Sequence, residues 1–498
     1  MMAISFNNIP TTTRTPGVYV EVDNSRALQG LTQNPHSALI IGQKTSDGTV
    51  DFDTLTAITR DNLADGYFGA GSILARMCNF FKDNNPNTEL YAIAIGSGIA
   101  GTAASATIDF SAAMYSDIVS GEGDYYLLIN GTPCYFTITS NMSGAAVASA
   151  AMSTINALST LPVRAARSNG QLSLSAVCSG TQGNYINVRH NYYTGQSTPA
   201  AFSAAPTIVS MADGATDPDL GDAWAVIDNK QFHYIVQPYI DAANLKEIED
   251  ELTDRFKPLE DLQGHGFACV RGAQASCTTL GNSRNNAHNT IMGMYDSPTA
   301  PEEWAAALGA QAAFNLNVDP ARPLTGLALK GVLPPPISNR FTRAERDILL
   351  YDGIATYTVS TGGDVQIERC ITTYQTNTLG ISDASYLDVQ TLATLGEIRY
   401  QFKTRMSNRF IAPRFKLADD SFPVQPGTKI ATPATVKQEC ISLFTLLRDV
   451  GLIENLQDFI DNLVVERNVS DVNRVDVLLP PDLINQFRIL AGNIQFIL

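Results

Sequence analysis

Long apolar runs are missing. Nowhere in the 498 residues do about 18 apolar side chains follow one another, the length a helix needs to cross a bilayer, so no membrane-spanning helix is expected. The opening MMAISFNNIPTTTRTPG has no charged stretch followed by an apolar core, so no secretory signal is expected either. Histidine (5) and tryptophan (2) are scarce. The 7 cysteines, Cys78, Cys134, Cys178, Cys269, Cys277, Cys370 and Cys440, are scattered, odd in number and without a CxxC pair. That excludes a disulfide framework and predicts buried free thiols in a protein made in a reducing cytosol. Charge is sparse at 16%, and its balance is acidic, with a formal net charge of −16. Such a chain does not wrap nucleic acid over its whole surface, so any basic patch has to be local.

What is present is ordinary globular material. Apolar residues make up 44%, enough to bury large cores, and the length calls for two to four domains. Val18-Tyr19-Val20-Glu21-Val22 alternates like a strand but has no hairpin partner nearby. Residues 38–42 and 90–95 read as buried strands around a helix at 71–82. From 103 to 215 charge nearly vanishes. Strands are expected there at 125–129, 134–139, 171–177 and 185–190, a hairpin turn at Asn130-Gly131 and an Ala-rich helix at 144–158. Strand candidates at 232–237, 266–271 and 289–294 then alternate with helices at 244–256 and 301–315, which favours a parallel or mixed sheet. After Leu333-Pro334-Pro335-Pro336 come a helix at 342–351 with a capping box from Thr342 to Glu345, strands at 353–359 and 365–372, and helices at 384–410 and 433–449. Apolar strands at 487–490 and 494–498 close the chain, although a free end frays unless something ties it down.

The fold class expected is therefore α/β (α+β) and multidomain. A mixed-sheet α/β core in two parts (25–102 and 216–336) carries a mostly β inserted domain (103–215). An α+β C-terminal domain (337–485) follows, and extended strand arms (1–24 and 486–498) end the chain.

Catalytic and binding motifs are weak. Gly96-Ser97-Gly98-Ile99-Ala100-Gly101 matches GxGxxG after a strand, but 107–110 reads as extended where a dinucleotide site needs a helix. A hinge into the insertion accounts for it. No GxxxxGK[ST] and no GxSxG occurs. His265, Cys269, Cys277 and His288 share one segment, but their spacing fits no usual zinc pattern, and buried cysteines with turn histidines are the simpler account. No catalytic, cofactor or metal residue is expected. The acids Glu247, Glu249, Asp250, Glu251, Asp254, Glu260 and Asp261 read as a solvated helix face. Arg399, Lys403, Arg405, Arg409, Arg414 and Lys416 form the one basic cluster, without an interleaved aromatic platform for nucleic acid.

Three segments carry a family resemblance. Arg14-Thr15-Pro16-Gly17-Val18-Tyr19-Val20-Glu21 resembles the opening of contractile phage tail sheath proteins. Residues 391–427 and 452–498 resemble the Mu-like branch of that family, including Val464-Val465-Glu466-Arg467 and Pro480-Pro481-Asp482-Leu483-Ile484-Asn485-Gln486-Phe487-Arg488. Around 410–425 the chain departs from other sheath branches.

The resemblance implies a structural subunit that stacks as hexameric rings in a helical sheath around a tail tube and contracts to drive the tube through a host envelope. Its core would be subtilisin-like in shape without being a protease, and its insertion would decorate the outside. Pro16, Gly17, Val18, Tyr19, Val20 and Glu21 would form one arm, and Phe487, Arg488, Ile489, Ile494, Phe496 and Ile497 the other, each adding a strand to a neighbour's sheet. The bends would lie at Pro16-Gly17 and at 479–486. The tube-facing candidates are Lys429, Lys437 and Arg448 around helix 433–449, with the basic segment bearing Arg399, Lys403, Arg405 and Arg409 as a rival. Implied partners are the subunit itself, tube, baseplate and tail terminator proteins, with no nucleic acid, membrane or cofactor. The implied location is the virion tail, after assembly in the bacterial cytoplasm. A subunit of a phage-tail-like bacteriocin and, more remotely, a subtilisin-like hydrolase are the alternatives.

Overall fold

The computed structural model describes residues 14–20, 30–96, 101–111, 122–139, 142–425 and 427–497. Contacts divide the chain into two compact units, residues 36–392 and residues 1–35 with 393–498.

The unit of residues 36–392 is built on a six-stranded sheet. It opens with β1 (Ser37–Gln43), buried along its whole length because it is covered on both faces. The edge strand β2 (Leu55–Ala57), helix α1 (Leu63–Phe68), helix α2 (Ile73–Asn84) and β3 (Glu89–Ile95) follow. The Ser72 hydroxyl accepts the Ala75 amide and starts α2, two residues later than its apolar pattern suggests.

The chain then leaves the sheet for the insertion. A four-stranded sheet is formed by β4 (Ala103–Asp109), β7 (Val163–Ser168), β8 (Gln171–Ser179) and β10 (Ile208–Ala212). A three-stranded sheet contains β5 (Gly123–Ile129), β6 (Thr132–Ile138) and β9 (Val188–His190). Together with α3 (Gly144–Ala157) they enclose a separate core, in which the Phe110 and Tyr125 rings meet edge-on at 5.6 Å. Asn130 and Gly131, at φ 49° and 77°, turn β5 into β6, the two positive values a tight hairpin turn requires. The strand expected over 185–190 is shorter. A 3-10 turn (Thr181–Tyr185) occupies its start, and Gly183 lets that turn sit against β4, where a Cβ would stand 2.8 Å from the Ala104 methyl.

Back in the sheet come α4 (Gly221–Ile227), β11 (Tyr234–Val236), α5 (Ala242–Arg255), β12 (His265–Arg271), α6 (Gln274–Asn282), β13 (Asn289–Met294) and α7 (Pro301–Val318). Strand order is β13-β12-β11-β1-β3-β2, parallel except for β2 against β3. Helix α7, Ala-rich and buried nearly all round, packs on β12 and α2. Gly309 brings it close to the sheet, since a Cβ there would lie 2.5 Å from Val236 Cγ2.

Residues 337–392, expected with the C-terminal domain, group with this unit. The reason is main-chain pairing: Ala355 donates to Ile291 at 2.9 Å and accepts from Gly293 at 3.1 Å, extending the edge of β13. The capping box of Thr342 and Glu345 opens α8 (Arg343–Tyr351), and β14 (Thr356–Val359) pairs with β15 (Val365–Arg369).

Helix α9 (Val389–Met406) is shorter than the expected 384–410. Its start is delayed by a turn in which Asp383 accepts the Ser385 amide at 2.9 Å. Its end loosens into a π turn (Ser407–Ile411) ahead of Pro413, whose ring stops regular helix. The other unit continues with β16 (Lys416–Leu417), β17 (Ile430–Ala431), α10 (Pro433–Asp449), β18 (Ile453–Glu454), α11 (Leu456–Asn462), β19 (Val464–Arg467), β20 (Val475–Leu478) and β21 (Asp482–Leu483). Its core is Val436, Cys440, Leu443, Phe444, Leu447 and Phe459, with the Phe444 and Phe459 rings stacked at 3.9 Å.

Candidate assembly interface

The two ends of the chain present apolar side chains to solvent. Val18 and Val20 are 93% and 82% exposed, and Phe487, Ile489, Ile494, Phe496 and Ile497 are 77% exposed or more. Pro16 and Gly17 are exposed, Tyr19 bonds only back to Thr15 O at 3.1 Å, and Glu21 lies outside the described residues. Arg488 is half-buried, its guanidinium bonded to Gln486. The strands expected at 487–490 and 494–498 are not formed within the chain, where residues 484–497 carry no regular structure; Leu498 is undescribed. A ladder needs a second strand, and none of the described residues supplies one to these segments.

Just before the C-terminal end the chain is pinned. Strand β21 pairs antiparallel with β18, Ile484 N donates to Leu452 O at 3.2 Å, and the Asn455 amide donates to Asp482 at 2.6 Å. Nearby, β19 and β20 form a hairpin that sequence reading missed, although both strands are short and rich in β-branched residues. Asn468 holds its loop, accepting the amides of Ser470 and Asp471 and donating to Asp476. Each strand pairs only with the other among the described residues, so both outer edges are open, with Val464 and Leu478 46% and 62% exposed.

The basic segment is not a uniform cationic face. Arg405 and Arg409 both turn onto Glu439 of α10, Arg409 at 3.5 Å. Arg399 and Lys403 lie on α9 and also have partners. On the same helix Gln401 and Glu397 hold the chain at Thr32 and Asn34. Arg448 pairs with Asp449 at 2.5 Å. Lys437 is half-buried on α10, and Lys429 is exposed beside β17. Sequence spacing finds the cations but not Glu439, which sits on a different helix.

The chemical candidates are buried structural groups. His265 stands on β12 with Nε2 2.8 Å from Thr290 Oγ1, and burial pushes it down to about 3. Burial also lowers His288 to about 4. The Cys269 thiol is pushed well up and that of Cys277 up to about 12, so neither is a ready nucleophile. All seven cysteines are buried and free. Gly96 and Gly101 flank residues 97–100, which lie outside the described residues, and the chain continues as strand β4, not as a helix. Among the described residues no group of three or more His, Cys, Asp or Glu side chains is placed to hold a metal. The acid run is mixed: Asp250 and Asp254 on α5 and Glu260 beyond it are exposed, but Glu249 is half-buried against Arg284 at 3.4 Å. Burial and the neighbouring Asp219 push Glu247 up to about 7.

Residues 213–373 match the phage tail sheath protein central domain and residues 382–497 the phage tail sheath C-terminal domain. Over 497 residues, 100% of both chains, the sequence is 35% identical to the Mu-like prophage FluMu tail sheath protein of Haemophilus influenzae. The chain belongs to the phage tail sheath family. It is of the Mu-like kind, a structural, non-enzymatic component of the virion tail. Solved structures similar to the sheath subunit include a sheath tail protein from Desulfitobacterium hafniense (TM-score 0.47, 14% identity, 94% of this chain and 100% of that one). Another is the anti-feeding prophage helical sheath in its contracted state (TM-score 0.48, 9% identity, 97% and 99%).

Proposed function

We propose that the subunit polymerises as stacked hexameric rings around a tail tube, and that its two terminal arms are the ties between neighbours. The observation that carries this reading is the mismatch at the ends. Apolar segments stand in solvent at both termini, while the β19–β20 hairpin keeps two edges open. An arm laid along such an edge gains main-chain hydrogen bonds worth about 0.5–1.5 kcal/mol each and buries alternate side chains. Residues 1–24 and 486–498 are the arms, and the inserted segment 103–215 is the outward-facing domain.

Contraction then re-docks rigid bodies while the arms bend at Pro16-Gly17 and at 479–486, and the stored free energy lies in interfaces. The bend on the C-terminal side lies around β21, whose two-residue ladder is short enough to act as a root. Tube contact falls to the α10 region, led by Lys429 and Lys437. The rival segment is weakened because Arg405 and Arg409 are occupied by Glu439. Baseplate and terminator proteins contact the ends of the sheath, and assembly takes place in the host cytoplasm.

The test is cysteine cross-linking of assembled tails, with one cysteine at Ile489 and one at Val477. The seven native thiols are buried and do not compete. Covalent ladders of subunits are expected in tubes and only monomer in the unassembled protein. A second pair, at Ile489 and Val465, probes the other strand of the hairpin, and tubes that form without a cross-link in either pair would overturn the reading of the C-terminal arm.

A further inference from the structure

Between the core and the insertion lies a buried cluster in which two carboxylates bond one guanidinium. Arg76 of α2 donates to Glu303 Oε1 at 2.5 Å and to Glu302 Oε1 at 2.6 Å, both on the first turn of α7. Asn130, at the hairpin turn of the insertion, donates its amide to the same Glu303 oxygen at 2.7 Å. All three charged side chains are 8% exposed or less. Two carboxylates therefore share one guanidinium, out of water, where an uncompensated charge is costly.

The unpaired atoms show where that charge is relieved. Glu302 Oε2, Glu303 Oε2 and Asn130 Oδ1 are all buried acceptors without a partner, and of the two carboxylates it is Glu303 that Asn130 bonds. Two such acceptors on one hydrogen-bonded pair of side chains are unsatisfied as long as Glu303 is ionised. A proton on Glu303 changes this: the acid donates Oε2–H to Asn130 Oδ1, while the amide continues to donate to Oε1. Exchanging the amide's O and N would put its oxygen against Oε1 and would again require a proton on Glu303.

We propose that Glu303 binds a proton and, as a neutral acid, pairs with the Asn130 amide to clip the inserted domain to the core, leaving Glu302 as the counter-ion of Arg76. Burial, the largest cause, and the neighbouring Glu302 raise the Glu303 carboxyl to about 7 against the pull of Arg76 and of the Asn130 amide. The other titratable groups facing Glu302 are Arg271 from β12, Tyr185, Tyr239 and Cys178. The folded state thus holds a proton that the unfolded state, with its carboxyl near 4.5, releases. Stability is full at or below pH 4.5 for this group and falls as pH rises through 7. The clip loosens on the alkaline side.

The test compares the full-length protein with Glu303→Gln and Glu302→Gln from pH 4.5 to pH 8.5. Glutamine at 303 imitates the neutral acid. Relative to Glu303→Gln, the wild type is expected to lose stability with rising pH by up to a tenfold fall in the folding constant per pH unit between pH 4.5 and pH 7, levelling off above 7. Glu302→Gln is expected to weaken the protein at every pH. Infrared spectra at pH 6 should show a protonated-carboxyl band in wild type that is missing in Glu303→Gln. An equal pH slope in wild type and Glu303→Gln, or no such band, overturns the proposal. If Glu303→Gln does not fold, the wild-type band and its loss between pH 6 and pH 8.5 decide alone.

Discussion

Ile453 and Leu483 face one another across a two-residue antiparallel ladder, the last strand pairing in the described chain before its C-terminus. Beyond it, residues 484–497 add no regular structure. The fold of the subunit is thereby separable from the segment proposed to tie it to others. Deleting residues 487–498 is expected to change subunit stability by no more than about 0.5 kcal/mol, the range of surface changes. It is expected to abolish long tubes. Thermal melts and negative-stain microscopy check both halves, and long contractile tubes from the truncated protein would refute the arm mechanism.

Gly309 and Val236 set the spacing of α7 on the sheet. A methyl at 309 would stand 2.5 Å from Val236 Cγ2, inside the repulsive wall, with β11 buried and unable to yield. Gly309→Ala should gain about 1 kcal/mol in helix propensity but lose about 1–3 kcal/mol to overpacking. Combining it with Val236→Ala makes room for the methyl. The double variant should therefore be more stable than the sum of the single effects by about 0.5–3 kcal/mol. Urea denaturation measures the cycle, and strict additivity would show that the two side chains do not meet.

What the sequence made legible was local. The capping box at Thr342 and Glu345, the turn at Asn130-Gly131 and Pro301 in the first turn of α7 follow from residues close in the chain, and each stands where its chemistry puts it. The alternation of buried strands and helices gave the mixed sheet for the same reason. Pairings between distant segments were not legible. Nothing near Arg405 signals Glu439, and nothing near Asn130 signals Glu303, because each contact joins separate elements. The arms are a third case. Their alternation marks them as strands, but none of the described residues pairs with them, so the pattern stands exposed.

Arg405 belongs to the fold more than to a partner. Its guanidinium is bonded to Glu439, and both side chains are mostly buried, at 25% and 14% exposed. Arg405→Ala and Glu439→Gln should each cost about 1.5–3 kcal/mol, the value of a hydrogen bond to a charged group. The two should couple in a double-mutant cycle. Lys429→Glu, by contrast, should leave stability within about 0.5 kcal/mol. It should slow assembly on preformed tubes, most at low salt, where charge is least screened. Equal effects of Lys429→Glu and Arg405→Ala on folding, with none on assembly, would remove Lys429 from the tube surface.

Histidine sets the acid limit of the core. His36 precedes β1, His233 precedes β11, His265 opens β12 and His288 precedes β13, so four of the 5 histidines line the same end of adjacent strands. The His36 and His233 rings stack at 4.1 Å, and His36 Nδ1 lies 2.8 Å from the Tyr234 hydroxyl. Burial lowers His36 and His288 to about 4 and His265 to about 3. A lowered histidine binds its proton more readily unfolded than folded, so its stabilising effect is whole above pH 6.5 and is lost as pH falls toward the folded value. Each contributes a slope of about 1.4 kcal/mol per pH unit in that window. The direction is opposite to that of Glu303, so each group is read as a difference between wild type and its own variant. His36→Phe keeps a ring against His233 and removes one titrating group. Its urea midpoint should fall less steeply than that of wild type between pH 6 and pH 4.5, by about one proton's worth. Parallel profiles for the two proteins would mean that His36 is charged in the folded state and that the acid limit lies elsewhere.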